Sequence, residues 1–153
     1  MPRRVKRPED KSELMESLRE SEDGGIFDTY KDIMLFAAAL AANKGESKPF
    51  QKSEERIQYD IFTKYSDNEA LIYLLGLFRR EDLSILSDDN ADERLNVLEQ
   101  YANAGLEEID SSIKSTGGSK LDAIINLIVE AEEDDREDES EEPNLEKMLE
   151  SME

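Results

Sequence analysis

The chain has 153 residues, a formal net charge of -20, and no histidine, cysteine or tryptophan. Missing cysteine excludes disulfides, thiolate nucleophiles and zinc thiolate sites, and missing histidine removes the commonest neutral-pH acid/base group and metal ligand. The length suits one domain, and no apolar run is long enough to cross a bilayer.

The charge is unevenly placed. Residues 1–11 hold five basic and two acidic side chains, net +3; residues 12–129 hold twelve and twenty-four, net -12; residues 130–153 hold two and thirteen, net -11. This divides the chain into a basic N-terminal arm (1–11), a helical domain (12–129) and an acidic tail (130–153). The basic start has no apolar run behind it, so it does not read as a secretory signal. The expectation is a cytoplasmic protein. An acidic body repels DNA and attracts basic surfaces, while the arm can still touch phosphate locally.

In the arm, Arg3, Arg4, Lys6 and Arg7 surround Val5. Either the whole arm is solvated, or Val5 sits in the domain with the arginines flanking it. Asp10 or Ser12 can cap a first helix over Lys11–Ser21, with Leu14, Met15 and Leu18 on one stripe. Gly24-Gly25 marks a turn.

Thr29–Lys44 is the most apolar stretch, with no polar side chain from Ile33 to Ala42. A helix apolar on every face belongs inside the fold. Thr29 and Asp32 form a T-x-x-D variant of the capping box, and Ile26 or Phe27 can staple the entry. Five alanines permit close approach, Gly45 suits the C′ position, and Lys44 favours the helix dipole.

Glu46–Glu55 reads as a loop. In Arg56–Phe62, Ile57, Tyr59 and Ile61 alternate with Arg56, Gln58 and Asp60, a strand signature. A single strand needs a partner, and the rest of the chain offers no convincing one. The stretch is therefore either an extended segment packed across helices or a helix whose period the pattern hides. Ser66 and Glu69 suggest a second capping box, followed by an apolar helix over Ala70–Phe78. Its apolar density makes it the expected close partner of Thr29–Lys44. Gly76 weakens this helix or allows close packing. Leu83, Ile85 and Leu86 then cover an edge through a turn or short helix.

Asp88-Asp89-Asn90 signals the start of a long helix from Ala91 to Ser115, with Leu95, Leu98, Ala102, Leu106, Ile109 and Ile113 on one face. Gly105 marks a crossing point or a bend. Thr116-Gly117-Gly118 stops that helix, and Ser119 with Asp122 starts the last core helix, Lys120–Ala131, with Leu121, Ile124, Ile125, Leu127 and Ile128 directed inward. Glu130–Glu142 is nearly all charged and is expected to be disordered. Beyond Pro143, Leu145, Met148, Leu149 and Met152 recur at helical spacing. Such a short amphipathic helix needs a surface, its own domain's or a partner's. The fold class is thus all-α: a compact bundle of about five helices around a buried central one, with a possible short extended segment and a disordered acidic tail.

No pattern carries chemistry. Asp88-Asp89 beside Asp92-Glu93 lacks calcium-loop spacing and reads as an acidic helix start. TGGSK at Thr116–Lys120 joins two helices and follows no strand, unlike a nucleotide-binding loop. No catalytic residue, metal site or cofactor is expected.

Several stretches together carry a resemblance: RRVKRPEDKSEL at Arg3–Leu14, GGIFDTYKDIMLFAAALAANKG at Gly24–Gly45, DNEALIYLLGLFRREDLSILSDD at Asp67–Asp89 and DERLNVLEQYANAGLEEI at Asp92–Ile109. The chain resembles the DNA phosphorothioation-associated protein 4 family, also described as dnd system-associated protein 4, over roughly residues 3–128, with the acidic tail beyond that core. The resemblance implies an accessory role beside bacterial gene sets that place sulfur in the DNA backbone and restrict DNA lacking it, a defence against phage. It brings no catalytic residues.

Three functions follow as expectations. The first is a non-enzymatic accessory protein that contacts other proteins of the defence system, with Leu145, Met148, Leu149 and Met152 as the contact. The second is a binder of duplex or modified DNA through Arg3, Arg4, Lys6 and Arg7, with Arg79, Arg80 and Lys31. The third is an acidic DNA mimic that occupies a partner's DNA channel.

Overall fold

A computed structural model describes residues 2–19 and 25–137. Among these, two short strands and six helices follow in the order β1 (Val5–Pro8), α1 (Ser12–Arg19), α2 (Tyr30–Lys44), β2 (Ser53–Ile57), α3 (Tyr59–Thr63), α4 (Ser66–Arg80), α5 (Ala91–Ser115) and α6 (Lys120–Glu137). One-turn 3-10 segments precede α1 and fill the α4–α5 connection. The fold is the expected helical bundle with one short extended element.

α2 forms for the reasons its sequence suggests. Thr29 is extended and its hydroxyl oxygen accepts a hydrogen bond from the Asp32 amide. At the other end Gly45 adopts φ 70°, and the Glu46 amide reaches back to the Ala41 carbonyl. This is the left-handed stop that glycine accommodates without a β-carbon clash. Between Ile33 and Ala42 only Phe36 and Ala39 are other than buried. Phe36 meets Phe27 with ring centroids 5.4 Å apart.

The neighbour of α2 differs from the expected one. α2 packs chiefly along α5 and meets α4 only over a short stretch. α5 is the hub: it packs against α2, α4, α6 and β1. The cause is Gly105. A β-carbon there would lie 1.9 Å from the Ala37 carbonyl oxygen, so the two helices cross at backbone contact. Gly105 is therefore a crossing point, and Ala37, Ala38 and Ala41 are fully buried beside it. The α5 stripe lies inward as expected, from Leu95 to Ile109, with Ile113 packed at its margin.

α4 is displaced from the centre and buries Ile72, Leu75 and Gly76, while Leu74 and Phe78 face outward. Gly76 allows close packing: a β-carbon would lie 3.2 Å from Ile85 and 3.3 Å from the Arg94 side chain. Two expected caps are absent. Tyr65 rather than Ser66 occupies the N-cap of α4 and offers no side-chain bond, because α3 ends only two residues earlier and the chain enters α4 directly. Likewise a 3-10 turn beginning after Pro8 runs into α1, so neither Asp10 nor Ser12 caps it. Ser119 does accept from the Asp122 amide at the start of α6.

The alternating stretch resolves into both alternatives in succession. Its first part ends strand β2, and its second part is the short helix α3, which buries Phe62. The strand has a partner after all, within the basic arm. β1 pairs antiparallel with β2, in the register Val5 with Ile57, Arg7 with Glu54 and Pro8 with Ser53, with a bulge between Val5 and Arg7. Val5 is fully buried, so the arm follows the alternative in which it sits in the domain. α6 also departs from expectation. It continues through the charged run to Glu137, since alanine and glutamate favour helix without needing a core.

The 46–52 loop is pinned to α5. The Lys48 amide donates to the Gln100 carbonyl at 3.0 Å, Asn103 donates to the Lys48 carbonyl at 3.1 Å, and Lys48 pairs with Glu107.

Two measurements check this packing. Gly105→Ala should lower unfolding free energy by about 3 kcal/mol in denaturant titration, because the added methyl meets backbone that cannot rotate away. The hydrogen bond from Lys48 depresses the Glu107 pKa, aided by Lys11 and opposed by burial. Its contribution is therefore present above the unfolded value and lost as pH falls through the folded one. Amide exchange in the 46–52 loop should be faster in Glu107→Gln than in the wild type at neutral pH, and the difference should vanish as acidification protonates Glu107, at a pH below the ordinary glutamate range.

Candidate functional site

The seven basic residues named as a possible DNA contact occupy different surroundings. Arg3 grips α5: its Nη1 and Nη2 donate to the two Glu99 carboxylate oxygens at 2.7 and 2.9 Å, and Nη2 also donates to Asn96 at 2.6 Å. The Lys6 amide donates to the same carboxylate at 2.7 Å. Glu99 is only 4% exposed, so a buried acid anchors the outer edge of β1. The hydrogen bond from the Arg3 guanidinium to Glu99, with further help from the charges of Glu99 and Asp92 against the opposing effect of burial, raises the Arg3 pKa.

Arg80 pairs with Glu93 on the first turn of α5, and Asn96 in turn donates to Glu93. Arg3 and Arg80 thus approach one α5 surface, but carboxylates separate them, and they do not merge into a basic face. Arg79 is exposed near the α4 terminus.

Arg4 and Arg7 go elsewhere. Arg7 is 7% exposed, donates from Nε to the Glu55 carbonyl at 2.8 Å, and lies over the Tyr30 ring at 4.1 Å. Arg19 lies over the same ring at 4.4 Å. Arg4, Arg7 and Lys31 line one cavity at the start of α2, together with Arg19 and Arg56. Arg4, Arg7 and Lys31 are among the residues expected to contact DNA, whereas Arg19 and Arg56 are not. The missing signal was the β1–β2 pairing, which brings residue 56 beside the arm.

The expected partner-binding residues Leu145, Met148, Leu149 and Met152 lie outside the described residues. The described part has another apolar surface. On α6, Ala123, Ile124 and Leu127 are buried, whereas Leu121, Ile125, Ile128 and Val129 are 58%, 48%, 44% and 46% exposed. Leu121, Ile125 and Ile128 were expected inward. The α2–α5 contact leaves α6 room to bury one narrow stripe, and these residues fall beside it. Exposed Asp122, Glu130, Glu132 and Glu133 surround the outer face. A smaller apolar groove lies between α2 and α4, lined by Ala39, Leu71, Leu74 and Phe78.

Among the described residues no group of three or more acidic side chains is arranged to hold a metal ion, and no helix is long and apolar enough to cross a membrane.

The family described as DNA sulphur modification system-associated protein 4 matches residues 4–148. The chain belongs to this family. It is a family of non-catalytic accessory proteins of the dnd system. The match reaches twenty residues past the expected limit of the resemblance at 128, so it takes in α6 and most of the acidic tail. No curated protein and no solved structure is significantly similar to the chain.

The Glu99 anchor gives a direct test. Glu99→Ala should destabilise the protein by about 2 kcal/mol, less than loss of a fully buried pair because Arg3 reaches solvent. Amide exchange at Lys6 and Arg7 should accelerate more than exchange within α2.

Proposed function

We propose that this accessory protein works by binding another protein of the same DNA sulphur modification system through the outer face of α6. The exposed row Leu121, Ile125, Ile128 and Val129 supports this reading. A helix that leaves four large apolar side chains in water on one side is shaped to be covered. The surrounding carboxylates select the occupant: an apolar segment carrying lysine or arginine at its margins. The protein's own C-terminal segment and a second copy of the chain both bring more acid to an acidic rim. Apolar burial supplies affinity, and charge supplies orientation and rejection of other partners.

The protein should retrieve at least one purified component of its own gene set in a low-salt pull-down, and less of it as salt rises. The triple variant Leu121→Ser, Ile125→Ser, Ile128→Ser should lose that component while keeping its thermal midpoint. Retrieval of no component by the wild type, or equal retrieval by the variant, refutes the α6 reading. A chain ending at Glu137 should still bind. Loss of binding on that truncation would transfer the contact to Leu145, Met148, Leu149 and Met152. Dimerisation abolished by the serine variant would make a second copy the occupant.

A further inference from the structure

We propose that the cavity at the N-terminus of α2 is a binding site for a single phosphate group, carried by a nucleotide or by the end of a nucleic-acid strand. The cavity has a volume of about 670 Å³ and lies between the start of α2, the β1–β2 ribbon and Arg19 of α1. That volume falls in the range of small-ligand pockets. Arg4, Arg7, Arg19, Lys31 and Arg56 line it with the carboxylates Asp28 and Glu55, and Lys31 pairs with Asp32 at 3.3 Å. A chain of net charge -20 thus gathers five of its nineteen cations around one concavity.

Three independent features favour an anion there. First, Arg7 is more than nine-tenths buried, and its Nη1 is shut off from water with no hydrogen-bond partner. Buried guanidinium groups are ordinarily satisfied, and Arg7 is one of the residues that line the cavity. Second, neither Arg4 nor Arg56 makes a side-chain ion pair among the described residues, although acidic side chains are twice as numerous as basic ones. Third, Thr29, Tyr30 and Lys31 at the opening of a fifteen-residue helix line the same space. Their end of α2 carries the positive pole of its dipole and backbone N–H groups without helical acceptors.

The ligand is limited in size. One cavity accommodates one phosphate and its immediate substituent, and the acidic surface elsewhere repels a run of backbone phosphates. Ile57 and Ile61 supply an apolar wall for the group that carries the phosphate. Tyr30 is occupied by Arg7 and Arg19, which leaves that ring to hold the guanidinium groups in position.

The test is a heteronuclear NMR titration of the full-length protein at low salt. The probes are inorganic phosphate, a nucleoside 5′-monophosphate, and a short oligonucleotide with and without its 5′-phosphate. The expected result is saturable shifts at the Tyr30 and Lys31 amides and at the Arg7 Nε–H. Arg4→Gln and Arg56→Gln, both at exposed positions, should each weaken binding about tenfold, the cost of one charge-assisted contact. Arg79→Gln removes the same charge elsewhere and should change nothing. Preference for the monophosphate assigns the site to free nucleotides; preference for the 5′-phosphorylated oligonucleotide over its dephosphorylated twin assigns it to strand ends. No saturable shift with any probe, or equal weakening by Arg79→Gln, overturns the proposal. Its outcome is independent of the pull-down, because no α6 residue lines the cavity.

Discussion

At Gly105 the backbone of α5 comes so close to the Ala37 carbonyl that no β-carbon fits between them. The other helices arrange themselves around the pair this contact creates. Because α2 and α5 meet at backbone distance, the alanines of α2 are sufficient to fill the seam. The larger α5 side chains then lie to either side of it. α4 and α6 each pack on one flank and bury only a narrow stripe. Their remaining apolar residues face water: Leu74 and Phe78 on α4, and the row from Leu121 to Val129 on α6. The exposed apolar surface is thus a direct consequence of how tightly the centre is closed.

Electrostatics organises the edge of the fold in the same economical way. β1 has a strand neighbour on one side only, and an open strand edge is a liability. Glu99 covers it with one carboxylate, which accepts from the Lys6 amide and from both terminal guanidinium nitrogens of Arg3. Lys11 is held similarly by Asn103 and Asp10. Much of the N-terminal positive charge is therefore neutralised within the molecule. The β1–β2 pairing brings Arg4 and Arg56, which make no side-chain ion pair among the described residues, to the opening of α2.

The helical framework was legible because it rests on periodicity and end signals that act locally. The apolar row of Ile33–Ala42, the Thr29 cap, the Gly45 stop and the full length of α5 all belong to that class. The strand pair was not legible, because Val5-Lys6-Arg7-Pro8 has no strand pattern of its own. It is extended only because β2 and Glu99 meet it there, across 45 residues or more of sequence. The choice of neighbour for α2 was hidden for a related reason. Apolar density favoured α4, but steric closeness decided for α5, and a single glycine sets that closeness. The inward set on α6 was misjudged because a stripe shows that a helix is amphipathic without showing how wide a surface it is offered. At the cavity, Arg4, Arg7 and Lys31 were visible as charges, but Arg56 joins them only through the strand register.

The charge distribution also limits what the two surfaces can bind. Interactions between exposed charges fade beyond about 8 Å at physiological ionic strength. The overall charge of -20 therefore governs long-range approach, while in the proposed phosphate site the cations at the α2 N-terminus would act at short range. A duplex laid along the surface would meet mostly carboxylates and gain little counterion release. A single terminal phosphate penetrating the cavity would meet the lining cations Arg4, Arg7 and Arg56 and leave the rest of its strand outside. At the α6 face the sign is reversed, so the proposed basic protein segment would be attracted from a distance and retained by apolar contact. On the two proposals, the acidic body disfavours bulk DNA, and the α6 face and the α2 cavity share no residue, so a protein partner and a single phosphate would not compete.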